Sequence, residues 1–129
     1  MTDAKPCAKQ KVVLVVDDDS TARWILAEIL AGEGYVVVEA SNADDALVCL
    51  RARADIRAVV TDIEMPGSMD GLEMAELIRG QSPTIAVLLT SGRRYPATDA
   101  LPPGTKFIQK PWAADDLIRL LETVLCCSY

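Results

Sequence analysis

The sequence contains no histidine. That absence excludes histidine-based catalytic triads, imidazole metal ligands and any phosphohistidine carried by this chain, so a phosphoryl group accepted here must go to an aspartate. Basic residues are in short supply: 13 Lys and Arg stand against 19 Asp and Glu, a formal net charge of −6. Generic binding to nucleic-acid phosphate or anionic lipid needs the opposite surplus. The charge therefore points to a protein or small-anion partner, with no direct nucleic-acid binding and no membrane. Long apolar runs are lacking as well. Met1 to Lys11 is polar and reads as neither signal peptide nor membrane span, so a cytoplasmic location is the expectation. The 4 cysteines lack the spacing of a disulfide framework or a zinc site, and with Cys126 beside Cys127 they read as reduced thiols. Aromatic residues are few, and Phe107 is the single phenylalanine.

What is present is a regular alternation within a length of 129 residues, which suits one domain. Lys11 to Val16 is a short β-branched run, and Ser20 to Ala31 follows with apolar positions at helical spacing until Gly32 and Gly34. Tyr35 to Glu39 is a second β-branched run, after which Asn42 is placed to cap a helix carrying Ala43, Ala46, Leu47 and Leu50 on one face. Arg57 to Thr61 and Thr84 to Leu89 are further strands, separated by a helix from about Gly71 to Arg79. Lys106 to Gln109 is the last strand and Ala114 to Leu125 the last helix. Between Gly92 and Thr105, Pro96, Pro102 and Pro103 leave room for about one helical turn near Ala97 to Leu101. Such alternation implies a parallel sheet covered on both faces, with ligands bound beyond the carboxyl ends of the strands.

Charged residues gather at those ends. Val15-Val16-Asp17-Asp18-Asp19 closes the first strand, and Asp62 closes the third. Adjacent carboxylates repel, and a hard cation bound through oxygen is the ordinary way to neutralise them. Asp18 and Asp62 are placed to hold such a cation. Phosphoryl transfer also requires a nucleophile and positive charge on the equatorial oxygens, and Lys110, at another strand end, is placed for the latter. Its neighbour Pro111 makes a cis peptide plausible there.

With these residues in order, the chain closely resembles the receiver domain of two-component response regulators over Lys11 to Leu125. The matching segments are Val-Val-Asp-Asp at 15 to 18, Asp62-Ile63-Glu64-Met65-Pro66, Asp70-Gly71, Leu89-Thr90-Ser91 and Lys110-Pro111. The resemblance implies an α/β, flavodoxin-like (βα)5 three-layer sandwich with a parallel sheet ordered 2-1-3-4-5 and a short or irregular fourth helix. It assigns residues 11–126 to the receiver domain, with tails at 1–10 and 127–129. Asp62 is then the phosphoacceptor, and Mg²⁺ is the cofactor, held by Asp17, Asp18, Asp62 and the backbone carbonyl of Glu64. Thr90 and Lys110 contact the acyl phosphate, and Thr90 with Phe107 forms the switch. The implied partners are a sensor histidine kinase or histidine phosphotransfer protein and a separate, unidentified downstream protein. The chain would be a stand-alone signalling phosphoacceptor with its own autophosphorylation and autodephosphorylation, and not an enzyme in the usual sense.

Two departures from the family pattern stand out. Gly67, Ser68 and Met69 make the loop before Asp70 one residue longer than is common, and the proline-rich fourth crossover alters a surface through which many receivers signal. A phosphorylation-independent interaction module is the competing reading that this second departure sustains. Another is a haloacid-dehalogenase-like phosphatase, because Asp17-Asp18-Asp19-Ser20-Thr21 also fits an Asp-x-Asp-x-Thr start. There Asp17 is the nucleophile, Asp19 the acid-base residue, and Asp115 and Asp116 later elements. Among the plainer readings, Asp19 or Ser20 caps the first helix and Trp112 packs. Arg93, Arg94 and Tyr95 read as a solvated loop before a partner patch, and Phe107 reads equally as core filling or switch.

Overall fold

Strand β1 (Val12–Val16) is a run of Val and Leu buried at every position, as only a central strand covered on both faces is. The computed structural model describes residues 11–93, 101 and 104–126. Helix α1 (Ser20–Gly32) follows β1, and then come β2 (Val36–Ala40) and α2 (Ala43–Ala52). Next are β3 (Ile56–Asp62), α3 (Gly71–Gln81), β4 (Ala86–Ser91), β5 (Thr105–Gln109) and α4 (Ala114–Cys126). All pairings are parallel and the strand order is β2-β1-β3-β4-β5, the flavodoxin-like order expected. The helical turn expected near Ala97 to Leu101 lies outside the described residues except for Leu101. The expected tails, Arg94 and Tyr95 lie outside them altogether.

Alternate residues of β1 feed opposite cores. Val12, Leu14 and Val16 pack with Ala43 and Ala46 of α2 and Met74, Ala75 and Ile78 of α3. Val13 and Val15 pack with Leu26 and Leu30 of α1 and Leu117 and Leu121 of α4. The sheet is thus sandwiched between helix pairs, each layer burying one face of the strands. Trp112 is half-buried against the second core, in keeping with a packing role.

Helix starts are chemically specified. Asp19 caps α1, its carboxylate accepting from the Thr21 and Ala22 amides at 3.0 and 3.3 Å. Asn42 caps α2 through the Asp45 amide at 2.8 Å. Asp70 and Glu73 form a reciprocal capping box on α3, each side chain accepting from the other's amide at 2.9 Å. Strand limits shift from those read in the sequence. Thr84 is spent in a turn closed by Ile85 N donating to Ser82 O at 3.0 Å, so β4 begins at Ala86. At its other end Thr90 and Ser91 stay in the ladder because β5 supplies partners at Ile108 and Gln109.

The start of α3 is tied directly to the end of β3. Gly71 N donates to Ile63 O at 3.0 Å, and a Cβ on Gly71 would overlap the Asp62 carbonyl oxygen and lie 2.9 Å from Ile63 Cα. Both obstacles are backbone, which has nowhere to yield. Gly71→Ala is expected to destabilise the fold by about 2 kcal/mol or more, read as a lowered urea midpoint. A midpoint equal to wild type would show that α3 is free to move off the strand.

Candidate functional site

The four elements that carry the site residues end at one edge of the sheet. Asp17 leaves β1, Asp62 ends β3, Thr90 lies in β4 and Lys110 leaves β5. Their backbones are pinned. Asp17 N donates to Ala40 O at 3.2 Å, Ile63 N to Thr90 O at 2.8 Å, and Lys110 N to Ser91 O at 2.9 Å. Asp62 and Thr90 are register partners across β3 and β4, which puts the Asp62 carboxylate and the threonine on adjacent strands at one level. Asp17, Asp62 and Thr90 are all buried, whereas Asp18 is exposed.

Charge dominates this edge of the sheet. One carboxylate oxygen from each of Asp17, Asp18 and Asp62 lies within 4.8 Å of the others. Against these stands the Lys110 ammonium, 3.4 Å from Asp17 Oδ2 and 3.3 Å from Asp62 Oδ2. The Lys110–Pro111 peptide is cis. Asp62 Oδ1 is buried and has no hydrogen-bond partner among the described residues. Burial pushes the Asp62 carboxyl above its usual range, and the Asp17 and Glu64 charges add to that push against the pull of Lys110. Burial works to lower Lys110, but the carboxylates of Asp17 and Asp62 outweigh it and the ammonium is held above its ordinary value. Three carboxylates facing one ammonium, with a buried oxygen left over, form an all-oxygen donor set that suits a hard divalent cation.

The site opens into a cleft of about 660 Å³ whose rim includes Glu64, Met65, Pro66, Asp70, Gly92 and Arg93. Two connections here were not read from the sequence. Ser91 Oγ donates to Glu64 Oε2 at 2.5 Å and accepts from Arg93 N at 3.1 Å, so the Glu64 carboxylate is tethered at the rim. Arg23 of α1 donates from Nη1 to the Asp17 carbonyl at 2.7 Å and from Nε to Glu39 Oε1 at 3.1 Å. The only sequence signal for that clamp is an arginine one turn into the helix that Asp19 caps. Phe107 is half-buried against the core shared with Val87 and Leu89. Asp115 and Asp116 sit exposed in the first turn of α4, and Asp116 pairs with Arg119 at 3.2 Å. Asp19 is committed to its cap, so the phosphatase set is not assembled around Asp17.

Comparison with known proteins agrees with the fold. The family model for the response regulator receiver domain matches residues 13–122. The chemotaxis protein CheY1 of Helicobacter pylori is 36% identical over 119 residues, covering 88% of this chain and 95% of that protein. The nitrogen assimilation regulatory protein NtrX of Azorhizobium caulinodans is 36% identical over 117 residues, again 88% of this chain. The chain spans only about a quarter of the length of NtrX and of the NtrC proteins it matches, 24% for the DNA-binding transcriptional regulator NtrC of Salmonella typhimurium. Among solved structures, the receiver domain of NtrX from Brucella abortus superposes with a TM-score of 0.82 at 39% identity, covering 90% of this chain and 99% of that one.

The raised Asp62 carboxyl has a definite sign in stability. The native state holds this proton more tightly than the unfolded chain does, so stability falls as pH rises from the ordinary carboxylate range through the raised value. Lys110 contributes in the same sense but at much higher pH: its share is present below its ordinary value and is lost as pH rises through the higher folded value. At neutral pH and without divalent cations, Asp62→Asn should therefore raise stability, read as a higher urea midpoint in EDTA. Millimolar Mg²⁺ should stabilise wild type and leave Asp62→Asn nearly unchanged. A destabilised Asp62→Asn in EDTA would mean that the Lys110 contact outweighs burial.

Proposed function

The chain belongs to the response regulator receiver domain family, and on that premise we propose that it is a Mg²⁺-dependent phosphoacceptor of a two-component phosphorelay. Asp62 takes a phosphoryl group from a histidine kinase or a histidine phosphotransfer protein, and the change alters contacts with a downstream partner. The observation that carries this reading is the Asp62 carboxylate: buried at the end of β3, with one oxygen 3.3 Å from Lys110 Nζ and the other without a partner among the described residues.

The transfer balances simply. A carboxylate oxygen of Asp62 attacks phosphorus, the new P–O bond forms as the P–N bond to the donor imidazole breaks, and the imidazole nitrogen leaves with the electron pair. Lys110, already beside Asp62, follows the negative charge that gathers on the phosphoryl oxygens. Asp17, Asp18, Asp62 and the Glu64 backbone carbonyl would hold Mg²⁺, which when bound supplies positive charge to those oxygens and relieves the repulsion among the carboxylates.

The product adds about −1.5 to −2 of charge at a buried strand end. Thr90, the register partner of Asp62, hydrogen-bonds the acyl phosphate with its hydroxyl, and Phe107 rearranges with it. Together they shift the population of surface conformations that a partner reads. Hydrolysis of the acyl phosphate by the chain itself resets the state. No helix among the described residues is long and apolar enough to cross a membrane. A cytoplasmic location belongs to the proposed function, as the compartment in which the chain would meet its phosphodonor.

Incubation with acetyl phosphate and Mg²⁺ should give a labile adduct of about 80 Da by intact mass, absent in Asp62→Asn and retained in Asp17→Asn at a reduced rate. Lys110→Ala should slow its formation by about 100-fold. An adduct that survives Asp62→Asn but vanishes in Asp17→Asn would restore the phosphatase reading. No adduct from either small donors or a kinase would leave a phosphorylation-independent module.

A further inference from the structure

Arg23 has no assigned task, yet it is the side chain that grips Asp17 from behind. Its guanidinium spans two elements. Nη1 donates to the Asp17 carbonyl at 2.7 Å, and Nε donates to Glu39 Oε1 on β2 at 3.1 Å. The Arg23 side chain is 19% exposed and Glu39 42%, so the fork is largely sheltered while its anchor reaches water. Asp17 is consequently held at three points. Its amide donates to Ala40 O at 3.2 Å, its carbonyl accepts from Arg23, and its Oδ1 accepts from Asp19 N at 2.9 Å. Oδ2 is left to face Lys110, 3.4 Å away.

From this clamp we infer that Arg23 is a positioning residue for the cation site: it fixes the backbone of Asp17, and through it the carboxylate that Mg²⁺ needs. This role rests on the phosphoacceptor function proposed for Asp62. The mechanism is geometric. Asp17 lies just beyond the last paired residue of β1, where the chain is about to turn into α1 and has lost its ladder partner on one side. A planar guanidinium reaching both the carbonyl and β2 locks that turn as a single-amine side chain cannot. Outer-shell contacts of this kind set ligand orientation and are costly to a metal site when removed.

The sign of the effect separates positioning from charge. A cation close to the carboxylates opposes a divalent ion by Coulomb repulsion, so if charge were all that Arg23 contributed, its removal would tighten Mg²⁺ binding. Positioning requires the reverse. We would measure Mg²⁺ affinity by titration calorimetry on wild type, Arg23→Ala and Arg23→Lys, with circular dichroism and thermal unfolding to check the fold. The expected result is binding weakened about tenfold in Arg23→Ala, with Arg23→Lys between the two. Unchanged or tighter binding in a folded Arg23→Ala overturns the role, even if its melting temperature falls. Should Arg23→Ala not fold, Arg23→Lys decides alone by the same criterion. Wild type that binds no Mg²⁺ would sink both this role and the metal-dependent reading; wild type that binds, beside an unaffected Arg23 variant, sinks only this one.

Discussion

Mutual repulsion among Asp17, Asp18 and Asp62 is the constraint around which the rest is arranged. Unit charges within 4.8 Å of one another repel by roughly 3 kcal/mol at an effective dielectric constant of about 20, a large fraction of the net stability of a domain this size. The backbone under each buried carboxylate is therefore held by more than one element. Asp62 sits inside a ladder between two buried strands, and α3 is pressed against its carbonyl at Gly71. Asp17 is gripped by β2, α1 and its own turn. The two cores on either face of β1 supply the surplus that lets this edge stay strained electrostatically.

Much of this was legible in the residues. The run Val12 to Val16 announces a central strand because nothing in it tolerates water, and Asp19, Asn42 and Asp70 announce helix starts because their side chains satisfy free amides. The site residues come next, since in a parallel sheet the polar residue closing each apolar run falls at the same edge. Asp17, Asp62, Thr90 and Lys110 do meet there. Less legible was anything that depends on distance between elements far apart in sequence. Thr90 and Ser91 read as the polar exit from a strand, whereas partners on β5 keep them within it. Gly71 reads as a helix opener, and only the packed structure reveals that a methyl group there has no room. The side-chain contacts of Arg23 and Glu64 carry almost no local signal, because an arginine on a helix and a glutamate in a loop are ordinary surface residues until their acceptor or donor is brought to them.

The arrangement also divides labour between fixed and adjustable parts. The main chain at Asp62, Thr90 and Lys110 is tied to neighbouring strands by backbone pairing and hydrogen bonds, so these positions cannot move far without breaking the ladder. What remains adjustable is side-chain torsion and the rim, where Ser91 holds Glu64 by a hydrogen bond across the cleft mouth. Under the phosphoacceptor function proposed for Asp62, a signal arising there would be carried by rotations and rim contacts rather than by displacement of strands.

The loop between β3 and α3 is one residue longer than its family commonly carries, and both of its ends are secured independently of its length. Ile63 N donates to Thr90 O at 2.8 Å, and Asp70 is locked by its capping box with Glu73. Between them Gly67 turns with φ of 111°, and Ser68 donates to Asp44 at 2.7 Å, stitching the excess to α2. An added residue there is taken up at the surface, so a change in the length of this segment need not disturb the carboxylates beneath it. It is a place where relatives sharing one reaction could diverge in whom they recognise.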